Sequence, residues 1–263
     1  MNKIKVVENK IIPFDNDDVL INDNSITFKK NGNYYIDYID CDNIGIDVYL
    51  EDNVCISLFE YSNNNSIIFK NRYALCKKSS LILSKFYANY STDEVVNINL
   101  NEEGANIKYN FSSIGSGYDK YVMNIYHNCG STYSDIYNRT VAKEGSTNIF
   151  DINSFVENNI KDCELMQKTK IITLGDSNNK INPNMFVGED SITAVHSSII
   201  GSISDDDLFY MMSRGISYSD SINLIVKGII LSNINVDIEN RERILKILDN
   251  LEVNKWIEMI LKY

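Results

Sequence analysis

The sequence predicts an all-β body followed by a helical tail, and three observations carry that prediction. From about residue 25 to about 195, short runs alternate apolar and polar residues at period two, as strands with one buried face do. Only two prolines, Pro13 and Pro183, occur in the chain, so the strands are not broken from within. After residue 203 the period changes to one suited to helices.

The strand runs read in order as "SITFKK", "YYIDYID", "IGIDVYL", "VCISLFEY", "SIIFK" and "EVVNINL". In the last, Val96, Ile98 and Leu100 share one face while Asn97 and Asn99 take the other. Three turn-plus-strand segments then look alike, around Gly104, Gly130 and Gly145. Their irregular spacing suits strands stacked as coils about 4.8 Å apart. A β-solenoid and a β-sandwich both fit this pattern.

The tail opens with Ser204 before "DDDLFYMMSRG". Ser204 with Asp207 resembles a capping box, Asp205 and Asp206 favour a helix N-terminus, and Gly215 ends the helix. A second helix is predicted through "SDSINLIVKGIILSNI". A third begins near Asp237 and carries Ile244, Leu248 and Leu251 on one stripe, with Trp256 and Leu261 beyond. The predicted organisation is a short N-terminal segment at 1–24, a β body at 25–202 and a helical domain at 203–263.

With 263 residues and 44% hydrophobic content the chain can bury a full core, and its charge of −11 repels phosphate backbones and anionic membranes. Nucleic acid and membrane are therefore not expected partners. The N-terminus lacks an apolar run long enough for a signal sequence, which points to a cytoplasmic protein. Five widely spaced cysteines without a CxxC pair fit neither a disulfide framework nor a zinc knuckle.

Few residues carry an obvious chemistry. His127 and Cys129 lie two apart and could share a metal, or could be a strand-end histidine beside a half-buried thiol. Glu102 and Glu103 could suggest glycoside chemistry, but neighbours on a strand face opposite sides. The run from Asp205 to Asp207 reads as a helix start rather than a cation site. No Walker, nucleophile-elbow or HExxH motif occurs.

The segments "INP" at 181–183, "GEDSITAVHSSIIGSIS", "DDDLFYMMSRGIS" and "LIVKGII" resemble the core domain shared by SufB and SufD, scaffold subunits of the SUF iron–sulfur cluster assembly machinery. Upstream, "EGSTNIFDINSFV" and "MQKTKIITLGDSNNKINPN" look similar too. The resemblance implies a right-handed parallel β-helix followed by C-terminal α-helices, which selects solenoid over sandwich. It implies a non-catalytic subunit that pairs with a SufB-like scaffold, or with itself as a dimer, and docks a SufC-like ATPase through its helices. It further implies a transient iron–sulfur cluster at the subunit interface, with reduced flavin as an optional cofactor of the complex.

His196 falls on the family histidine implicated in cluster assembly, and neutral imidazole can ligate iron or carry a proton. Leu208, Phe209, Tyr210, Arg214 and Gly215 fall in the segment expected to organise the ATPase clasp, with core packing of the helices onto the solenoid end the equal alternative for Phe209 and Tyr210. SufB-like subunits place a cysteine where this chain has Gln167-Lys168-Thr169, and a glutamate where it has Ser197. SufD-like proteins often show "CSHG" where this chain reads "AVHS", so Ala194 removes a nearby thiol. Cys163 lies at an odd offset from Lys168 and is not a substitute. The chain resembles a shortened SufD-like subunit. The competing readings are a homodimeric scaffold using His196 with Cys129 or Cys163, and a carbohydrate-active β-helix.

Overall fold

The period-two runs become strands that stack rather than fold back. The computed structural model describes residues 2–14 and 16–249. The chain opens with β1 (Asn2–Val7), β2 (Lys10–Ile11), β3 (Val19–Asn22), β4 (Ser25–Phe28), β5 (Gly32–Ile39) and β6 (Asn43–Ile44). There follow β7 (Asp47–Leu50), β8 (Cys55–Ser62), β9 (Ser66–Leu75), β10 (Ser80–Tyr87), β11 (Ser91–Leu100) and β12 (Asn106–Gly115). The last strands are β13 (Tyr118–His127), β14 (Tyr133–Lys143), β15 (Thr147–Val156), β16 (Glu164–Leu174), β17 (Asn178–Val187) and β18 (Thr193–Ser202). Three helices follow: α1 (Asp205–Ser213), α2 (Tyr218–Leu231) and α3 (Ile238–Asp249).

Successive long strands join alternate sheets. One sheet has the order β18-β16-β14-β12-β10-β8-β5-β1-β2, the other β17-β15-β13-β11-β9-β7-β4-β3, and from β7 onward every pairing is parallel. Each coil thus adds one strand to each sheet, which makes a parallel β-solenoid and excludes the antiparallel sandwich. The coils lengthen along the chain. Ser62 reaches Asn89 on the next coil across 27 residues, whereas Asn138 reaches Thr169 across 31.

Strand pairing begins before residue 25. β1 pairs in parallel with β5 through six register positions, and β3 forms a hairpin with β4, so β1 and β3 belong to the two sheets. The signal was short: Ile4 and Val6 are fully buried, but β2 and β3 span only two and four residues.

Side chains facing inward fill the lumen, as the alternation in β11 requires: Val96, Ile98 and Leu100 are fully buried. Phe69, Tyr87, Phe111, Tyr121 and Phe150 interlock through ring contacts of 4.7–5.3 Å, supplying large apolar area. On the outer face, Asn97, Asn124, Asn153 and Asn184 form an amide ladder with bonds of 3.1, 3.0 and 2.9 Å. Parallel coils align like residues, which lets each amide donate to the next.

The helices cover the outer face of the sheet that contains β8, β10, β12 and β14. Ile222, Val226 and Ile230 of α2 and Ile244 and Leu248 of α3 pack in one cluster with Phe59, Tyr61, Phe86, Ile114 and Val141. Asn233, after α2, donates to the carbonyl oxygens of Phe111 (2.7 Å) and Tyr137 (3.2 Å). Arg243 of α3 lies 3.6 Å from the centre of the Tyr61 ring, pairs with buried Asp37 at 3.0 Å and donates to the Tyr35 hydroxyl. Arg243→Ala is expected to raise amide hydrogen exchange across residues 238–249 while leaving β10 to β16 protected. Equal exchange in α3 of both proteins would show that the ion pair does not pin the helix.

Ser204 occupies the N-cap of α1, but its side chain makes no capping bond, so the expected capping box does not form. The three acids of the first turn serve that end instead. Side-chain capping appears at α2, where the backbone N–H of Asp220 donates to Ser217 Oγ at 3.1 Å. Gly215 ends α1 at φ +84°, as expected. Leu251, Trp256 and Leu261 lie outside the described residues.

Candidate functional site at the open end of the solenoid

The last coil is where the two sheets stop. β18 pairs only with β16, and β17 only with β15, so each presents an unpaired backbone edge among the described residues. Natural sheets cover or blunt such edges, because free N–H and C=O groups template pairing with another chain. Here the edge is apolar as well: Val195 is 45% exposed, Ile199 51%, Ile200 46% and Phe186 54%. Phe186 ends an outer aromatic stack that runs from Tyr126 through Phe155, at 4.9 and 5.0 Å.

His196 belongs to this coil. Its register partner on β16 is Gln167, which is 1% exposed and faces the lumen. Because paired residues of a parallel ladder share a face, His196 points toward the mouth of the lumen, and it is exposed there because no coil follows. Around it the lumen is polar: Gln167 donates to Ser154 Oγ at 2.8 Å, and Asn138 donates to Thr169 Oγ1 at 3.1 Å. Ala194 and Ser198 take the neighbouring inward places on β18, in register with Leu165 and Thr169.

α1 presents a second exposed surface. Leu208 is its one buried residue, while Phe209 is 75% exposed, Tyr210 57% and Met212 46%. Phe209 and Tyr210 are therefore not core residues. Arg214 is exposed and its guanidinium lies 5.0 Å from the Tyr210 ring centre.

The other sequence candidates resolve differently. His127 ends β13, is 1% exposed, and gives both ring nitrogens to hydroxyls, Thr132 Oγ1 at 2.7 Å and Ser134 Oγ at 2.9 Å. Burial lowers its pKa to about 4, so it is a neutral structural histidine with no lone pair left for a metal. Cys163 is buried against the same Thr132 hydroxyl at 3.3 Å. Among the described residues one trio of ligand-type side chains comes within ligand distance, Asp52, Cys76 and Glu102, and His196 is not part of it.

Sequence reasoning missed the ionic group inside the lumen. Lys85 is fully buried and pairs with Glu94 at 2.9 Å and Glu60 at 3.3 Å. Tyr38, Tyr73 and Tyr87 donate to these carboxylates. The signal was present in "LILSKFY", where Lys85 shares the inward face of Leu81 and Leu83. Gln167 carried the same kind of signal two residues after buried Leu165.

Two comparisons bear on this architecture. A family model described as "SUF system FeS cluster assembly, SufBD core domain" matches residues 33–229. The iron–sulfur cluster assembly protein SufD of Bacillus subtilis (strain 168) is 24% identical over 122 residues, which span 46% of this chain and 28% of the relative. No helix among the described residues is long and apolar enough to cross a membrane. The matched region runs from β5 into α2, taking in the stacked coils, the open edge with His196, and α1 with its exposed aromatic face. The chain belongs to the SufBD family of the SUF iron–sulfur cluster assembly system.

Proposed function

We propose that this protein is a SufD-like, non-catalytic subunit that joins a SufB-like scaffold through the open edge of β18 and docks a SufC-like ATPase through α1. The carrying observation is the uncovered last coil, which combines an unpaired strand edge, an apolar outer row and His196 at the mouth of the lumen. Strand addition supplies backbone hydrogen bonds, and the exposed apolar side chains supply the area. His196 would then lie at the subunit junction, where a cluster is assembled transiently with donors from the partner. The missing thiol and carboxylate around it, at Ala194 and Ser197, fit a SufD-like role. The absence of a Walker motif fits ATP hydrolysis by the partner. Reduced flavin, where it takes part, would belong to the complex, and the place of work would be the cytoplasm.

α1 suits the clasp because Phe209, Tyr210 and the Arg214 stacked on it are exposed aromatic and guanidinium groups of the kind that anchor interfaces. Gly215 lets the chain turn from α1 into α2 behind that surface.

Co-expression with the SufB-like and SufC-like proteins of the same genome, read by size exclusion with light scattering, tests both contacts. Removing residues 203–263 would strip the cover from Phe59, Phe86 and Ile114, so point variants are the cleaner tool. Phe209→Ser with Tyr210→Ser is expected to lose the ATPase and keep the scaffold pairing. Replacing Ile199 by Lys should do the reverse, because a charge on an edge strand blocks pairing. A chain that stays monomeric with both partners present overturns the reading. A chain that pairs only with itself replaces it with the homodimeric scaffold.

A further inference from the structure

We propose that Gln167 is a positioning residue for His196: its side-chain carbonyl accepts the imidazole N–H, which sets the ring tautomer and turns the other nitrogen, with its lone pair, toward the open edge. The inference rests on reading His196 as the working group of the last coil.

The amide of Gln167 is unusually well determined. Its nitrogen donates to Ser154 Oγ at 2.8 Å and to the backbone carbonyl oxygen of Asn184 at 3.3 Å. Both N–H groups are therefore committed, to β15 on one side and β17 on the other. That leaves Oε1, a buried acceptor with no partner among the described residues, on a residue 1% exposed. A buried carbonyl without a donor costs about 1–3 kcal/mol, and native interiors rarely leave one.

His196 is placed to supply the donor. It is the register partner of Gln167 on β18, so the two side chains leave the same face of adjacent strands about 4.8 Å apart. The inward positions of β16, β17 and β18 carry no charged side chain that would compete with the amide for the ring N–H. A neutral ring whose one N–H is held by a carbonyl offers its second nitrogen as a base or ligand, with its direction fixed by the first.

The chain has only two histidines, which makes the test direct. Long-range ¹H–¹⁵N spectra of the intact, ¹⁵N-histidine-labelled protein at pH 8 read the tautomer of each neutral ring. His127, held between two hydroxyls, reports that a variant has folded. In the wild type His196 is expected to show one tautomer. Gln167→Leu should restore the mixture of a free imidazole while His127 keeps its signals. Gln167→Glu, which retains an acceptor, should keep the single tautomer. A mixed tautomer at His196 in the wild type overturns the proposal without any variant, as does a single tautomer that survives in folded Gln167→Leu. Since the readout needs no partner, failure of the co-expression experiment and failure of this one are separate results.

Discussion

Lys85→Met is expected to destabilise the protein by about 3–5 kcal/mol, the cost of leaving buried charges without their partner. Lys85, Glu60 and Glu94 are each no more than 1% exposed, and they come from β10, β8 and β11, so they lie in the lumen between two coils and both sheets. Burial pulls the lysine pKa down, but Glu60 and Glu94 more than reverse this and hold it above its ordinary value. For Glu94 the balance goes the other way: burial raises its pKa despite the lysine. Two carboxylates share one ammonium, and the tyrosine hydroxyls of Tyr38, Tyr73 and Tyr87 disperse the excess charge.

A carboxyl whose folded pKa is raised, as burial raises that of Glu94, stabilises the fold at low pH and loses that contribution as pH climbs through the folded value, the more so once Lys85 is gone. The penalty of Lys85→Met should therefore grow with pH, because acid can protonate the stranded carboxyls. Urea unfolding followed by circular dichroism measures this. The triple variant Glu60→Gln, Lys85→Met, Glu94→Gln should recover most of the loss, since removing a buried ion group whole is far cheaper than breaking it. A single variant within about 1 kcal/mol of wild type at neutral pH would mean that the trio is not ionised in the folded protein.

His127→Gln is expected to make stability fall more steeply as pH rises through the acid range. The folded pKa of His127 is about 4 against an ordinary 6.5. The unfolded chain therefore binds a proton that the folded chain refuses, and this residue withdraws about 1.4 kcal/mol per unit as pH falls from 6.5 to 4. Asp119 has the opposite sign. Burial, partly offset by Thr92 and the backbone of Ser116, pushes its carboxyl up to about 7 from 3.8. Its contribution is present in acid and is lost over that interval as pH rises, at the same rate.

Between about pH 4 and 6.5 the two slopes cancel in the wild type. With His127→Gln the compensation for Asp119 is lost, and stability should drop by about 3 kcal/mol more than in the wild type across the window as pH rises. With Asp119→Asn the slope should reverse. Denaturation midpoints at several pH values decide it, and a flat profile in both variants would show that neither group changes its proton occupancy on folding.

What the sequence determined by itself is local. Period-two alternation marks strands such as β11 and its inward Val96, Ile98 and Leu100, because side-chain direction on a strand depends only on the backbone. The shift to helical period and the end of α1 at Gly215 are of the same kind, whereas the exposure of Phe209 and Tyr210 beside buried Leu208 was decided by the fold. The motif around His196 carries the family resemblance in the sequence itself, and the match to residues 33–229 agrees.

Tertiary structure decided whatever depends on the neighbouring coil, 25 to 31 residues away. The corner residues Asn53, Lys78, Gly104, Ser131 and Asp162 all adopt positive φ and mark the repeat, yet only one is glycine. That corner is held by bonds between coils, such as Lys78 N–H to Glu103 and Gly104 N–H to Ser131, so its conformation is imposed rather than preferred. Lys85 and Gln167 read as ordinary polar residues until the register sets Glu60 beside one and His196 beside the other. Strand direction is a property of the chain. Which residue lies 4.8 Å away in the next coil is a property of the stack, because loops of unequal length set the register.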